Sequence, residues 1–323
     1  MDKYLITGFS GFVGKHFLDL LEQCGNAAEV LGIDLYPPKF GYKDRHNIQC
    51  EFMILDLLER KAIQGVLSKF KPDYLLHLAS YSSVSFSWKK PILSFQSNTN
   101  IFLNILEAVQ LNNLPTRILS VGSSEVYGDI EPNDIPITEE HSLNPKSPYA
   151  AARASQEMLA KIYSEGFGLD IVLTRSFNHI GPGQSESFVA ASYAKQLVGG
   201  WKNRESKISL VVGDLSINRD FTDVRDVVKA YYALLKSGRN GEVYNVCNGT
   251  GISLAELLSI MSNKLDVHYT TLTDEKLLRP KDPKVYIGSN EKIKQDIGWK
   301  TEISLDNAIV DIITDWKVRL NHN

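Results

Sequence analysis

The sequence predicts an α/β fold, a doubly wound and mostly parallel sheet with a smaller α/β unit at its C-terminal side. Short apolar runs alternate with helix-length amphipathic stretches through the first half. The first run feeds a glycine-rich turn, and beyond Phe177 the rhythm breaks into longer loops such as Gly181-Pro182-Gly183-Gln184-Ser185. Strand, helix and strand in succession imply right-handed crossovers, hence parallel pairing.

In chain order the strand candidates are residues 4–7, 29–34, 52–55, 74–78, 117–122 and 171–177. Helix-period stretches lie between them at 12–23, 58–70, 92–111 and 149–166. In the second half, 254–263 and 305–318 read as helices, and helices are expected to outnumber strands. Residues 223–235 and 243–246 are expected to return to the large sheet. The division anticipated is a cofactor-binding unit of residues 1–177 with 221–247, and a substrate-binding unit of 178–220 with 248–323. No internal repeat or low-complexity tract is visible.

The chain has 323 residues, of which 43% are hydrophobic and 23% charged, the balance of a folded globular protein. A formal charge of -3 supplies no basic field, so nucleic acid is not an expected partner. Tyr4-Leu5-Ile6 is too short for a signal peptide, and no apolar run approaches the ~20 residues that span a bilayer. Cys24, Cys50 and Cys247 are isolated, which argues against a disulfide framework and for a cytoplasmic location. The seven histidines form no ligand cluster, so no metal site is expected.

The first strand runs into Gly8-Phe9-Ser10-Gly11-Phe12-Val13-Gly14. Glycines there let the backbone turn sharply and let a pyrophosphate approach a helix N-terminus, whose free N–H groups and dipole favour anions. An ATPase-type phosphate loop is the nearest rival. It needs glycine where Phe9 stands and Ser or Thr where His16 stands, so it fails twice. Asp34 ends the second strand about 20 residues on, where a carboxylate accepts the adenosine-ribose hydroxyls. Asp56, with Leu57 beside it, ends the third strand and is placed to reach adenine. The bland alternative makes both acids turn formers at strand ends. Together these residues describe a Rossmann-type dinucleotide site in which Asp34 favours NAD(H) over NADP(H), because a carboxylate repels a 2′-phosphate.

Ser120-Val121-Gly122-Ser123-Ser124-Glu125-Val126-Tyr127-Gly128 follows the fifth strand, at the sheet edge where ligands bind. Further on, Ser147-Pro148-Tyr149-Ala150-Ala151-Ala152-Arg153 opens a helix with proline at its first position. Tyr149 and Arg153 stand at i and i+4 on one face, so a cation neighbours a phenol. Such a cation favours the ionised phenol, and a nearby serine can orient the oxygen whose proton is exchanged. Read singly, the tyrosine is an ordinary helix residue and the serines a helix cap.

With TGxxGxxG early, Ser after the fifth strand and Tyr149 four residues before a cation, the chain resembles the extended short-chain dehydrogenase/reductase family. The resemblance implies Ser123 as hydroxyl partner, Tyr149 as acid/base and Arg153 in the place of the family's lysine. It puts Leu78 and Ala79 beside the cofactor, Ser82 and Val84 at the sugar pocket, and Asn98 behind the active-site helix. The exchange at Arg153 is not conservative, since a guanidinium is bulkier, forked and permanently charged.

In the second half the likeness narrows. Phe177-Asn178-His179-Ile180-Gly181-Pro182-Gly183-Gln184, Arg219-Asp220-Phe221-Thr222-Asp223 and Leu278-Arg279-Pro280 resemble GDP-4-keto-6-deoxy-D-mannose reductases. That implies a GDP-sugar as partner, its diphosphate held by Asn178, Arg219 and Arg279, and a homodimer. Arginine forks suit phosphate oxygens, although surface salt bridges are the bland alternative. The related GDP-mannose 4,6-dehydratases add a glutamate base, and Glu125 stands in that place. An NAD(H) preference leans toward dehydratase or 4-epimerase chemistry, because enzymes that recycle their cofactor within one catalytic cycle commonly retain NAD. The Arg153 exchange also leaves room for a non-catalytic relative that binds NAD.

Overall fold

The computed structural model describes residues 1–278 and 283–321. Its large sheet is wholly parallel. In chain order its first six strands are β1 (Asp2–Thr7), β2 (Ala28–Asp34), β3 (Ile48–Ile54), β4 (Tyr74–His77), β5 (Arg117–Ser123) and β6 (Ile171–Ser176). Five helices lie between them: α1 (Phe12–Gln23), α2 (Arg60–Phe70), α3 (Val84–Lys89), α4 (Pro91–Leu111) and α5 (Pro148–Phe167). After β6 come β7 (Asn178–Ile180), α6 (Val189–Lys202), β8 (Ile208–Val212), β9 (Asn218–Asp223), α7 (Val224–Ser237) and β10 (Val243–Val246). The chain closes with β11 (Gly251–Ser253), α8 (Leu254–Leu265), β12 (Tyr269–Thr273), β13 (Val285–Tyr286), α9 (Glu291–Ile297) and α10 (Leu305–Asn321).

The sheet order is β10-β6-β5-β4-β1-β2-β3. The chain therefore winds outward from β1 in one direction through β2 and β3, then returns to wind the other way through β4, β5 and β6. Between β1 and β4 the winding reverses, and there the crevice at the strands' carboxyl ends is the natural ligand site. Helices cover both faces, so successive β1 residues are buried on opposite sides. Tyr4 and Ile6 pack with α1 and α7, while Leu5 packs with α2 and α4. A fully buried strand reads as a continuous apolar run, as Tyr4-Leu5-Ile6 does.

A third core gathers α6, α8 and α10 around β8 and β9. Here β9 pairs antiparallel with β11 and parallel with β13 and β7, and β8 pairs parallel with β12. The expectation that helices outnumber strands here is corrected: among the described residues after Phe177 there are seven strands and five helices. These strands are only two to six residues long, too short for a clear period of two.

Val243–Val246 does rejoin the large sheet, beside β6. The segment 221–223, expected with it, is paired with β7 instead. Ile293 and Trp299, from a stretch expected with the second unit, pack into the core beneath α1 and α7. Helix α6 was not anticipated, because Gly199-Gly200 weakens its helical pattern. Gly200 earns its place in packing: a Cβ there would lie 2.5 Å from Ile208.

No helix among the described residues is long and apolar enough to cross a membrane. Among the same residues no His, Cys, Asp and Glu group could hold a metal ion.

Two histidines, His77 buried and His179 half-buried, set a pH dependence on stability. Burial pushes His77 down to about 3, helped by the nearby Arg153 charge, and pushes His179 down to about 4. Their ordinary value is 6.5, so between there and the folded values the unfolded chain binds more protons. The stabilisation is complete above that ordinary value and is lost as pH falls through the window. Each histidine should cost about 1.4 kcal/mol per pH unit of acidification. Denaturant unfolding at pH 7 and pH 5 should show His77→Gln losing less stability than the parent. Equal losses in the two chains would mean that His77 is not held neutral.

Candidate active site

The glycine turn sits at the reversal between β1 and β4. Gly8 has φ 70°, and a Cβ on it would stand 2.7 Å from the Ala79 nitrogen, so the loop after β4 packs directly against the turn. A Cβ on Gly14 would meet the Phe9 carbonyl at 2.3 Å. Gly11 caps α1 without a side chain, and no acidic residue occupies the helix's first turn. The free N–H groups and positive dipole end are thus left for an anion. This cradle fits a dinucleotide pyrophosphate.

The flanking residues hold the turn in shape. The Ser10 N–H donates to Asp34 Oδ2 at 3.0 Å, and the Leu35 N–H to Asp34 Oδ1 at 2.7 Å. Asp34 therefore ends β2 beside the loop, as expected, with lone pairs left on each oxygen. Asp56 is exposed and lies two residues beyond β3, not at its end. Its Oδ1 accepts the Leu58 N–H at 2.9 Å, a local turn, while Leu57 is buried. On β1, the Thr7 hydroxyl lies 2.8 Å from His77 Nδ1 and accepts the Ala79 N–H at 3.4 Å, tying Leu78 and Ala79 to the turn.

Phe12 stacks on His179 at 6.2 Å between centroids, and His16 Nε2–H donates to the Pro182 carbonyl at 2.7 Å. The helix carrying the phosphate cradle thereby touches the 179–183 loop. Val13, between them, is half-buried.

Helix α5 starts cleanly: Ser147 Oγ accepts the Ala150 N–H at 3.1 Å, Pro148 follows, and Gly168 closes the helix at φ 71°. Tyr149 and Arg153 meet as their spacing predicts, Arg153 Nε donating to the Tyr149 hydroxyl at 3.3 Å. Both are buried, at 6% and 4% exposure. Arg153 Nη1 also donates to the Val121 carbonyl at 3.2 Å and to Gln156 Oε1 at 2.6 Å. Every one of these partners is neutral.

Ser123 ends β5, and its Oγ accepts the Glu125 N–H at 3.3 Å. Glu125 lies half-buried in the single helical turn of Ser124–Tyr127, against which α5 packs. Asn98 faces the loop after β4, with Oδ1 accepting the Tyr81 N–H at 2.8 Å and Nδ2 donating to the Tyr81 carbonyl at 3.3 Å. Its neighbour Thr99 is the residue that reaches α5, donating to the Ala152 carbonyl at 3.4 Å. Ser82 is exposed, and Val84 is buried at the start of α3.

Asn178 and Arg219 lie on the paired strands β7 and β9. Asn178 Nδ2 donates to the Asp220 carbonyl at 3.2 Å, and Arg219 Nη1 donates to the carbonyls of Asn218 and Pro283 at 3.0 and 2.8 Å. Arg279 lies outside the described residues.

Tyr286 joins the two groups. Its hydroxyl donates to the Ser124 carbonyl at 2.6 Å, and the Arg219 guanidinium lies 5.9 Å from its ring. Burial, then Glu125, pushes the Tyr286 phenol up. Nothing in the sequence near Tyr286 signals this contact. Asp220 was likewise missed: it is buried, pushed up to about 6 by burial, and accepts the N–H groups of Asn248 and Gly249 at 2.8 and 2.9 Å.

The family model described as GDP-mannose 4,6 dehydratase matches residues 5–312. The chain belongs to this family. It is 33% identical to the GDP-6-deoxy-D-mannose reductase of Pseudomonas aeruginosa over 98% of each chain. The solved structure of RMD from Pseudomonas aeruginosa complexed with NADPH superposes with a TM-score of 0.85 at 31% identity, covering 99% of this chain and 100% of that one. The Thermus thermophilus UDP-glucose 4-epimerase complexed with NAD gives 0.84 at 25% identity, over 98% and 99%.

Proposed function

We propose that the chain is an NAD(P)-dependent nucleotide-sugar oxidoreductase that reduces the C4 ketone of a GDP-4-keto-6-deoxy-mannose-like sugar. The observation that carries this reading is the 33% identity to a GDP-6-deoxy-D-mannose reductase over 98% of both chains. The contact of Tyr149 with Arg153 supports it with a phenol placed beside a permanent cation.

The dinucleotide would lie along Gly8, Gly11, Phe12, Val13 and Gly14, with Asp34 at its adenosine ribose and Leu78, Ala79 and Asn98 lining the crevice. When bound, the nicotinamide supplies the hydride. Tyr149 hands its hydroxyl proton to the sugar oxygen as that oxygen gains charge, and the Ser123 hydroxyl orients the same oxygen. Arg153 stabilises the phenolate left behind. Asn178, Arg219 and Arg279 would hold the diphosphate, with Ser82 and Val84 at the sugar. Exposed apolar side chains on α4 and α5 (Ile92, Phe95, Met158 and Ile162) support pairing of two copies through these helices. Consumption of reduced nicotinamide on addition of GDP-4-keto-6-deoxymannose tests the reading. Lack of consumption with either cofactor contradicts it.

The second reading is 4,6-dehydration, favoured by the family model and by Glu125 beside Ser123. There Glu125 removes the C5 proton. Glu125→Gln distinguishes the two: a reductase keeps most of its turnover, whereas a dehydratase loses about 100-fold or more.

Asp34 favours NAD(H), its remaining lone pairs accepting the ribose hydroxyls and its charge repelling a 2′-phosphate. The Pseudomonas structure contains NADPH, so on this reading the two proteins differ in cofactor choice. Calorimetric titration should show NADH binding more tightly than NADPH, and Asp34→Ala should narrow the gap. A clear preference for NADPH in the parent chain would refute the Asp34 role.

A further inference from the structure

We infer that Gln156 is a positioning residue that adapts this active site to arginine in place of lysine, clamping the Arg153 guanidinium so that its Nε faces the Tyr149 hydroxyl. The inference rests on the reading of Tyr149 and Arg153 given above.

Gln156 is buried, at 1% exposure, one helical turn beyond Arg153 on the inner face of α5. A buried carboxamide must spend its donors and acceptor on specific partners. Its Oε1 accepts Arg153 Nη1 at 2.6 Å. Its Nε2 donates to Ser120 Oγ at 2.8 Å and to the Val121 carbonyl at 3.3 Å. Ser120 and Val121 belong to β5, so the amide anchors the arginine to the sheet and not merely to its own helix.

A guanidinium presents a fork of five N–H groups, against three donors on a compact ammonium. When Nε points at the phenol, the outer Nη1 needs fixed acceptors of its own. The Val121 carbonyl and Gln156 Oε1 both accept from it. A carboxylate at position 156 would pair with the guanidinium and spend its charge there. The neutral amide fixes the geometry and leaves the positive charge to act on the phenol. An ammonium has no outer fork to restrain, so the clamp matters only while residue 153 is arginine.

The test is a double-mutant cycle of the full chain: parent, Gln156→Met, Arg153→Lys and the double variant. Methionine keeps the volume and removes the polar atoms. For each we would measure kcat and KM with GDP-4-keto-6-deoxymannose, the Kd of NADPH and of NADH, and Tm. In the arginine background Gln156→Met should lower kcat about 10-fold and weaken cofactor binding, with KM for the sugar changing far less. In the lysine background it should change kcat and Kd less than about 2-fold. An effect below 2-fold in the arginine background, or equal losses in both, overturns the inference.

If Arg153→Lys is itself inactive, the cofactor Kd values carry the cycle. If Gln156→Met does not fold, Gln156→Asn, which withdraws the amide by one methylene, is judged by the same outcomes. Tyr149→Phe is run alongside. If it retains turnover, the active-site reading fails and the inference falls with it. If it loses turnover while the cycle shows no coupling, only the role of Gln156 is wrong.

Discussion

Tyr149→Phe should lower kcat by about 100-fold or more while leaving cofactor affinity within about 2-fold, the signature of a lost acid/base group. The substitution removes one oxygen from a buried ring that is otherwise held by α5, so the fold should tolerate it. The oxygen removed is the one facing Arg153 Nε at 3.3 Å. The guanidinium keeps its bonds to Val121 and Gln156, so its position should hold. Calorimetry with NADH and NADPH beside steady-state turnover separates the two effects. Turnover near the parent's would remove Tyr149 from the chemistry, and another proton donor would have to be found near Ser123.

Arg153→Met should separate activity from stability in the opposite sense to most core substitutions. The parent buries a guanidinium whose partners are a phenol, a carbonyl and an amide, all neutral. Burying a charge without an opposing charge is costly, and replacing it by an apolar side chain of similar length often leaves stability unchanged or raises it. Tm should therefore stay within a few degrees of the parent or rise, even with Gln156 Oε1 losing its donor. Turnover should fall by about 10- to 100-fold, the scale of one lost charge-assisted hydrogen bond near the reacting oxygen. Arg153→Lys should restore much of it. A stable Arg153→Met protein with full turnover and unchanged cofactor binding would mean that the cation has no part in the reaction.

Most of the large sheet was legible because most of its strands are buried on both faces and alternate with helix-length amphipathic stretches. Tyr4-Leu5-Ile6, the glycine turn and Ser147-Pro148 each mark an element boundary through one local physical rule. The contact of Tyr149 with Arg153 followed from helix geometry alone. What escaped depended on partners distant in sequence. Gln156 reads as a polar helix residue until Ser120 and Val121 are folded against it. Tyr286 meets Ser124 across 162 residues, and Asp220 gathers N–H groups from a turn beyond β10. β7 and β11, of three residues each, and β13, of two, are too short for any pattern to register. Asp56 was misplaced for a simpler reason: β3 stops one residue earlier than its apolar run suggests.

The most direct test of the account is identification of the product when the protein is given each substrate in turn. Incubated with GDP-4-keto-6-deoxymannose and NADH or NADPH, it should oxidise the cofactor and yield a GDP-6-deoxyhexose whose C4 carbonyl has become a hydroxyl, shown by mass and by proton NMR. Incubated with GDP-mannose and NAD, it should leave the sugar unchanged. Conversion of GDP-mannose to the 4-keto-6-deoxy sugar, with no reduction of that sugar when it is supplied, would contradict the account and assign the site to Glu125 and dehydration.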